Sequence, residues 1–246
     1  MIGIIGGMGP YAGLDLTKKI FDLTDAKTDQ DHIPVSMLSI PHQIEDRTKY
    51  LLDPTLDNPG IAIGKVVRKL AETGAYVFGM PCNTAHSPLI FNEIKNQIPS
   101  DIIFINMIEK VVGWIVEKHP TVKKVGILAT NGTIQSKVYH NELINNGLEP
   151  ITFDKIEQKE FIDEAIYDKS IGIKSCSNPV SGEAIVRLEK GMNMLVDLGS
   201  EVIILGCTEI PIAIQASTFQ NIPLIDATTV LARALILKSN PSSLKQ

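Results

Sequence analysis

Little in this chain is suited to a disulfide scaffold, a metal cluster, a nucleic-acid surface or a membrane. Only three cysteines occur in 246 residues, an odd number with no CxxC pair. Such a count makes no disulfide framework, and a reducing, cytoplasmic setting is the simplest expectation. The five histidines are scattered, and no cysteine or histidine spacing fits a metal site. There is no basic tract, and the formal net charge is −5, which argues against nucleic acid as the main partner. No apolar run reaches membrane-spanning length, so no membrane partner is expected either. The chain opens directly on strand-like Met1–Ile5, and no signal peptide is expected. What remains is globular material, 44% hydrophobic and 21% charged, long enough for one large or two small domains.

The informative stretch is Tyr76-Val77-Phe78-Gly79-Met80-Pro81-Cys82-Asn83-Thr84-Ala85-His86. An apolar run reads as a buried parallel strand and stops at a cysteine among small polar residues. Asn83 and Thr84 then stand at the strand's carboxyl end, where open α/β sheets bind ligands. Thr84 or Ser87, with Pro88 next, is a cap for the following helix. The pattern recurs in Glu201-Val202-Ile203-Ile204-Leu205-Gly206-Cys207-Thr208-Glu209. Leu70, Gly74, Val77 and Cys82 match Leu195, Gly199, Val202 and Cys207 at a constant offset of 125 residues. Upstream, Gly3-Ile4-Ile5 ending in Gly9 matches Gly126-Ile127-Leu128 ending in Gly132 at an offset of 123.

The chain therefore reads as two related α/β halves with mainly parallel sheets. The expected division is residues 1–106, joined by the C-terminal segment 210–246, and residues 107–209. Each half presents one cysteine from an equivalent strand end. If the halves are related by a pseudo-two-fold axis, the two thiols face each other across a cleft. Two opposed proton-transfer groups are what inversion at a carbon centre requires.

Between these landmarks the pattern is alternating. Met1–Ile5 runs into Gly6-Gly7-Met8-Gly9-Pro10 and an amphipathic helix to about Thr24. Gly7–Ala12 formally fits GxGxxG/A, but the second strand, near Val35–Ile40, ends without the acidic residue that a dinucleotide site wants. The glycine turn instead suits backbone N–H groups meeting a small carboxylate, or simply a tight turn. Gln43–Leu52 reads as a loop or short helix over a strand end, a candidate lid. Within it Arg47 suits a bidentate grip on a carboxylate, or a surface ion pair beside Glu45 and Asp46. Asn131-Gly132-Thr133 replaces the glycine turn in the second half, with a helix to about Asn145. A helix is expected near Gln158–Tyr167, an irregular second lid at Gly172–Pro179, and a long helix over Ser181–Leu198.

Gly6-Gly7-Met8-Gly9-Pro10, Asp46-Arg47-Thr48, Pro81–His86 and Gly206-Cys207-Thr208-Glu209 together resemble the aspartate/glutamate racemase family. The resemblance covers nearly the whole chain, with the motifs in the right order. It implies two three-layer αβα domains, a site at their interface, and commonly a homodimer. It implies cofactor-independent amino-acid racemisation, with Cys82 and Cys207 as the acid/base pair and a small acidic amino acid as substrate. By the same resemblance Arg47 binds the side-chain carboxylate, and Asn83, Thr84 and Thr208 hold the α-carboxylate and amino group. Thr130 and Thr133 match a further substrate-contacting loop. Met8 and Gly9, in the glycine turn, and Glu209, beside Thr208, join the substrate-binding set. Lys174 resembles a lysine near the site, although Ile173-Lys174-Ser175-Cys176 departs from the commoner Ile-Lys-Ala-Gly.

The chemistry agrees with that set. Removing an α-proton without a Schiff base calls for electrostatic stabilisation of the carbanion and a thiolate held against Cα–H in a dry pocket. A free thiol titrates at about 8.5, so activation is needed. Helix N-termini following both cysteines are the expected source, with His86 and Glu209 tuning or orienting the thiols. Cys176 has no repeat partner and is incidental. Two other readings stand: an isomerase or decarboxylase of a small dicarboxylate on the same fold, and a non-catalytic binding protein for an acidic amino acid.

Overall fold

A computed structural model describes residues 1–245. In chain order the elements are β1 (Ile2–Gly6), α1 (Pro10–Leu23), β2 (Val35–Ser39), α2 (Arg47–Leu52), α3 (Pro59–Ala71), β3 (Val77–Gly79), α4 (Pro88–Gln97), β4 (Ile103–Phe104) and α5 (Met107–Lys118). They continue with β5 (Lys124–Leu128), α6 (Asn131–Gln135), α7 (Val138–Asn145), β6 (Glu149–Ile151) and α8 (Lys155–Glu157). A π-helical stretch (Gln158–Asp163) leads into α9 (Glu164–Tyr167), then α10 (Gly182–Asp197), β7 (Val202–Leu205), α11 (Ile210–Ala213), β8 (Thr218–Phe219), β9 (Ile222–Asp226) and α12 (Ala227–Ser239). Among the described residues no helix is long and apolar enough to cross a membrane.

Two compact units result. The first comprises residues 1–110 and 228–246, the second residues 111–227. This differs from the expected division at both boundaries, and the first break falls after Lys110, within α5, in place of residue 106. Residues 210–227 stay in the second unit, because β9 pairs with β7 there, and the return to the first unit starts only at Thr228. In that unit Gly79 packs against the Leu235 side chain of α12.

The first sheet runs β2-β1-β3-β4, all parallel. The second runs β6-β5-β7-β9-β8, parallel except for the edge strand β8. Parallel strands covered on both faces need near-continuous apolar sequence. Ile2, Ile4, Ile5, Val77 and Phe78 in one unit, and Val202 to Leu205 in the other, are accordingly buried.

The internal repeat is visible in the backbone. Gly74 and Gly199 both sit at φ +89°, in the left-handed region that favours glycine. Each donates its N–H to the carbonyl three residues back, Ala71 and Val196, so the helix-to-strand turn is built the same way twice. In each sheet the order reverses between the first strand and the cysteine strand, β1/β3 and β5/β7. Ligands of open α/β sheets bind outside the carboxyl ends at such switch points.

Two expected elements differ in detail. The helix to Asn145 is broken at Lys137, which takes φ +55°, so α6 and α7 are separate. The irregular Gly172–Pro179 stretch is no loose lid over its first part. The N–H groups of Gly172, Ile173 and Lys174 bond to the carbonyls of Asp168, Ala165 and Ile166, and Ile173 is in the core.

Candidate active site

In the first unit the candidate residues gather at the carboxyl ends of β1 and β3. Cys82 lies three residues past the end of β3 and is buried in the same apolar cluster as Met8, Tyr50, Met80 and Ala85. Asn83 and Thr84 are buried beside it in sequence. Gly9 forms the N-cap of α1, with Pro10 at its first position. Arg47 opens α2, whose N-terminus is closed by Asp46 accepting the Lys49 N–H at 2.8 Å. That helix packs against the short turn Thr84–His86, which brings the arginine's element to the cysteine loop. The guanidinium Nη1 donates to the Glu45 carbonyl at 3.4 Å, and the residue is half-buried.

His86 does not touch the thiol. Its Nδ1 pairs with the Cys82 carbonyl at 2.9 Å, and its Nε2 accepts the Met107 N–H at 3.2 Å, at the start of α5. An acceptor Nε2 requires the neutral ring with its proton on Nδ1. Burial pushes the imidazole down to about 4, and the backbone carbonyls of Cys82 and Ile105, which favour the charged ring, oppose this only in part. This histidine is a clamp on the Cys82 peptide.

In the second unit the same edge holds Thr130, Thr133, Cys207, Thr208 and Glu209. The register Leu128↔Leu205 places Thr130 and Cys207 each two residues beyond paired positions on neighbouring strands. All five are buried. The Cys207 thiol donates to Glu209 Oε2 at 3.1 Å. Glu209 Oε1 in turn accepts from Lys174 Nζ at 2.8 Å, and Thr208 Oγ1 reaches Oε2 at 3.4 Å. The fold thus joins Lys174 to Cys207 through Glu209.

Expected thiol activation by helix N-termini does not describe Cys207. The helix after it, α11, has four residues, too few for much of a dipole. Burial, and then the Glu209 carboxylate, push the thiol well above its usual range, and Lys174 only partly opposes them. After Cys82 a 3₁₀ turn intervenes, and α4 starts only at Pro88, with Ser87 at its N-cap. The Ser87 hydroxyl makes no capping bond.

Two functional contacts were not foreseen in the sequence. Gln158 Nε2 donates to the Ala129 carbonyl at 2.7 Å, and the Asp163 carboxylate accepts the Asn131 N–H at 2.9 Å. Both come from the π-helical stretch and together hold the loop carrying Thr130 and Thr133. Burial raises the Asp163 carboxyl above its ordinary range, offset in part by the Asn131 and Gln158 bonds. The three cysteines form no disulfide. Cys176 lies apart, donating to the Ser170 carbonyl at 3.4 Å.

The model of the Asp/Glu/hydantoin racemase family matches residues 5–235. The chain belongs to that family. It is an amino-acid racemase on a mixed α/β fold with mostly parallel sheets, as the motif resemblance implied. It is 28% identical over 242 residues to a broad specificity amino-acid racemase, RacX, of Bacillus subtilis, covering 96% of each chain. Among solved structures it is similar to an aspartate racemase of Picrophilus torridus at 31% identity and a TM-score of 0.78, over 97% of this chain and 93% of that one. An aspartate racemase homologue from Pyrococcus horikoshii is 26% identical with a TM-score of 0.69, over 97% of this chain and 98% of that one.

Proposed function

We propose that this racemase interconverts the enantiomers of an acidic amino acid, aspartate foremost, without a cofactor, by transfer of the α-proton between two cysteines. The observation that carries the reading is the pair of buried thiols at matching strand ends of the two sheets, Cys82 and Cys207. The similarity to the Picrophilus torridus aspartate racemase supports aspartate, and the similarity to RacX supports a wider range of side chains. Three unpaired thiols suit a reducing, cytoplasmic setting, and a homodimer is the family expectation.

The atoms balance as follows. In one direction the Cys82 thiolate takes the α-proton and becomes a thiol. The Cys207 thiol delivers its proton to the other face of the same carbon and becomes a thiolate. The reverse direction exchanges the roles, and no proton is gained or lost overall. The raised affinity of Cys207 for its proton suits it to start as the acid. Buried N–H and hydroxyl groups stabilise the developing carbanion only if they are already oriented. Asn83, Thr84, Thr130, Thr133 and Thr208 are assigned to the α-carboxylate and amino group, with Met8 and Gly9 lining the turn at α1. Arg47 is assigned to the side-chain carboxylate, where its planar fork matches two oxygens.

The test is a chiral assay on a panel of amino acids, with Cys82→Ala and Cys207→Ala alongside. Racemisation strongest on aspartate or glutamate is expected, and each alanine variant should lose it while still exchanging the α-hydrogen of one enantiomer in deuterated water. Racemisation surviving in either variant would refute the two-base reading. A panel with no activity on acidic side chains would refute the Arg47 assignment.

A further inference from the structure

We infer that Glu209 is a positioning residue that holds the Cys207 proton, and that Lys174 is the fixed counter-ion that keeps Glu209 able to do so. The inference rests on the racemase reading of Cys207 and gives two residues of the site a different task from substrate binding.

Three contacts carry it. The sulfur of Cys207 lies 3.1 Å from Glu209 Oε2, and Glu209 Oε1 lies 2.8 Å from Lys174 Nζ. The carboxylate is nearly buried, with its side chain 5% exposed. Lys174 is not a roving surface cation. Its backbone N–H is bonded to the Ile166 carbonyl, Ile173 before it is in the core, and its ammonium sits 5.7 Å from the centre of the Tyr167 ring.

These distances constrain where the protons are. A thiolate 3.1 Å from a buried carboxylate would set two anions in contact in poor solvent, which is strongly unfavourable. One of the two groups must hold a proton. Lys174 bonds the far oxygen of Glu209 and so favours the ionised carboxylate. The proton therefore rests on sulfur, in the bond to Oε2. The charged groups facing Cys207 are Glu209 on its own loop and Lys174 on the 172–176 turn. Leu128 of β5, Leu188 and Met192 of α10, Leu205 of β7 and Ile210 of α11, in the same cluster, add no charge. Tyr167 at the end of α9 faces the lysine. Burial and Glu209 both push the thiol up, in line with the geometry. Burial works against the Lys174 charge, and the Glu209 carboxylate bonded to it is the largest of the interactions that restore it.

The consequence is a poised enzyme. At rest Cys207 is the acid, so Cys82 is the thiol left to act as base. When Cys207 has given up its proton, the anion on sulfur is opposed by Glu209 and supported by Lys174. The pair thus favours return of the proton to Cys207 after each turnover. A lysine committed to Glu209 is not free to serve as a second carboxylate grip, which leaves that task to Arg47.

The test is a titration of Cys207 as the sole thiol, in a Cys82→Ser/Cys176→Ser background, by ultraviolet absorbance of the thiolate and by the pH dependence of iodoacetamide alkylation. Adding Glu209→Gln removes the opposing charge and leaves Lys174 facing the sulfur. The titration midpoint should fall by at least about one pH unit, a tenfold rise in thiolate at a given pH below it. Adding Lys174→Met to that variant should raise the midpoint again. Glu209→Asp, which keeps a carboxylate on a shorter stem, should give a smaller fall and decides the matter if the glutamine variant does not fold. A midpoint unmoved or raised in Glu209→Gln, or unmoved in Glu209→Asp, would overturn the inference. The titration needs no turnover, so absent racemisation with a shifted midpoint would count against the proposed function alone.

Discussion

His86 and Cys207 show how burial acts on single side chains that have their polar atoms engaged. The histidine ring is held neutral between the Cys82 carbonyl and the Met107 N–H. Its folded value of about 4 lies below the ordinary 6.5. Between those values the unfolded chain binds a proton that the folded chain does not, so stability rises with pH across the window and is lost on acidification. The ring alone should cost on the order of 3 kcal/mol between neutral pH and about pH 4. Urea unfolding of the wild type and of His86→Gln, at about pH 7 and about pH 4.5, isolates this share from the carboxylates. The wild type should lose more stability than the variant, and equal losses would contradict the assignment. The sequence marked His86 as a group near the thiol, yet it could not say which atom of the cysteine the ring meets. That choice follows from the turn at Thr84–His86, which points the ring at the peptide.

At the scale of elements, the π-helical stretch Gln158–Asp163 does what an α-helix of the same residues could not. An i→i+5 turn takes an extra residue, so the side chains after it are rotated relative to an α-helical pattern. The stretch reads as helical from its apolar spacing, but the spacing carries no signal of the wider turn. The outcome is that Gln158 and Asp163 hold the two ends of Ala129–Asn131. Asp163→Ala removes a charged acceptor from a backbone N–H, a loss of about 1–3 kcal/mol. If Thr130 and Thr133 contact substrate, the KM should rise roughly tenfold, with a smaller fall in kcat. Steady-state kinetics on the preferred amino acid measures both, and an unchanged KM would mean that the loop holds its shape without this support. The long helices were more legible. Pro88–Gln97 falls on α4 as expected from its proline start, and Ser181 caps α10 by accepting the Glu183 N–H.

For the whole molecule, the chain leaves the first unit within α5, builds the second, and returns after β9. The return is needed because the β3 end has a glycine where α12 lays Leu235 down. A Cβ at Gly79 would meet that side chain at 2.6 Å. Leu235 is fully buried. Leu235→Ala should therefore destabilise the protein by about 2–5 kcal/mol. Thermal or urea unfolding should show a clear drop, and a change within about 0.5 kcal/mol would mean that α12 is dispensable to the first unit. A return by the C-terminal segment was among the readings the sequence supported. Its starting point was not readable, because Pro223–Asp226 is as good a strand for either sheet, and only its pairing with β7 assigns it.

Sequence alone determined the parallel strands, though not the antiparallel edge strand β8, together with the repeat and the two thiols at its equivalent ends. Those features depend on short continuous apolar runs, on turn glycines and on residue identity, each read within a few positions, and the repeat is the same short pattern met twice. Cys82 and Cys207 stood out through the repeat, whereas Arg47 and the threonines were proposed through short motifs that resemble the family's. Tertiary structure decided what charges each group meets. Lys174 reaches Glu209 across 35 residues, and His86 reaches Met107 across 21. Such distant pairings decide which sites hold protons, because electrostatic and desolvation energies depend on neighbours in space and carry no periodic trace in the chain.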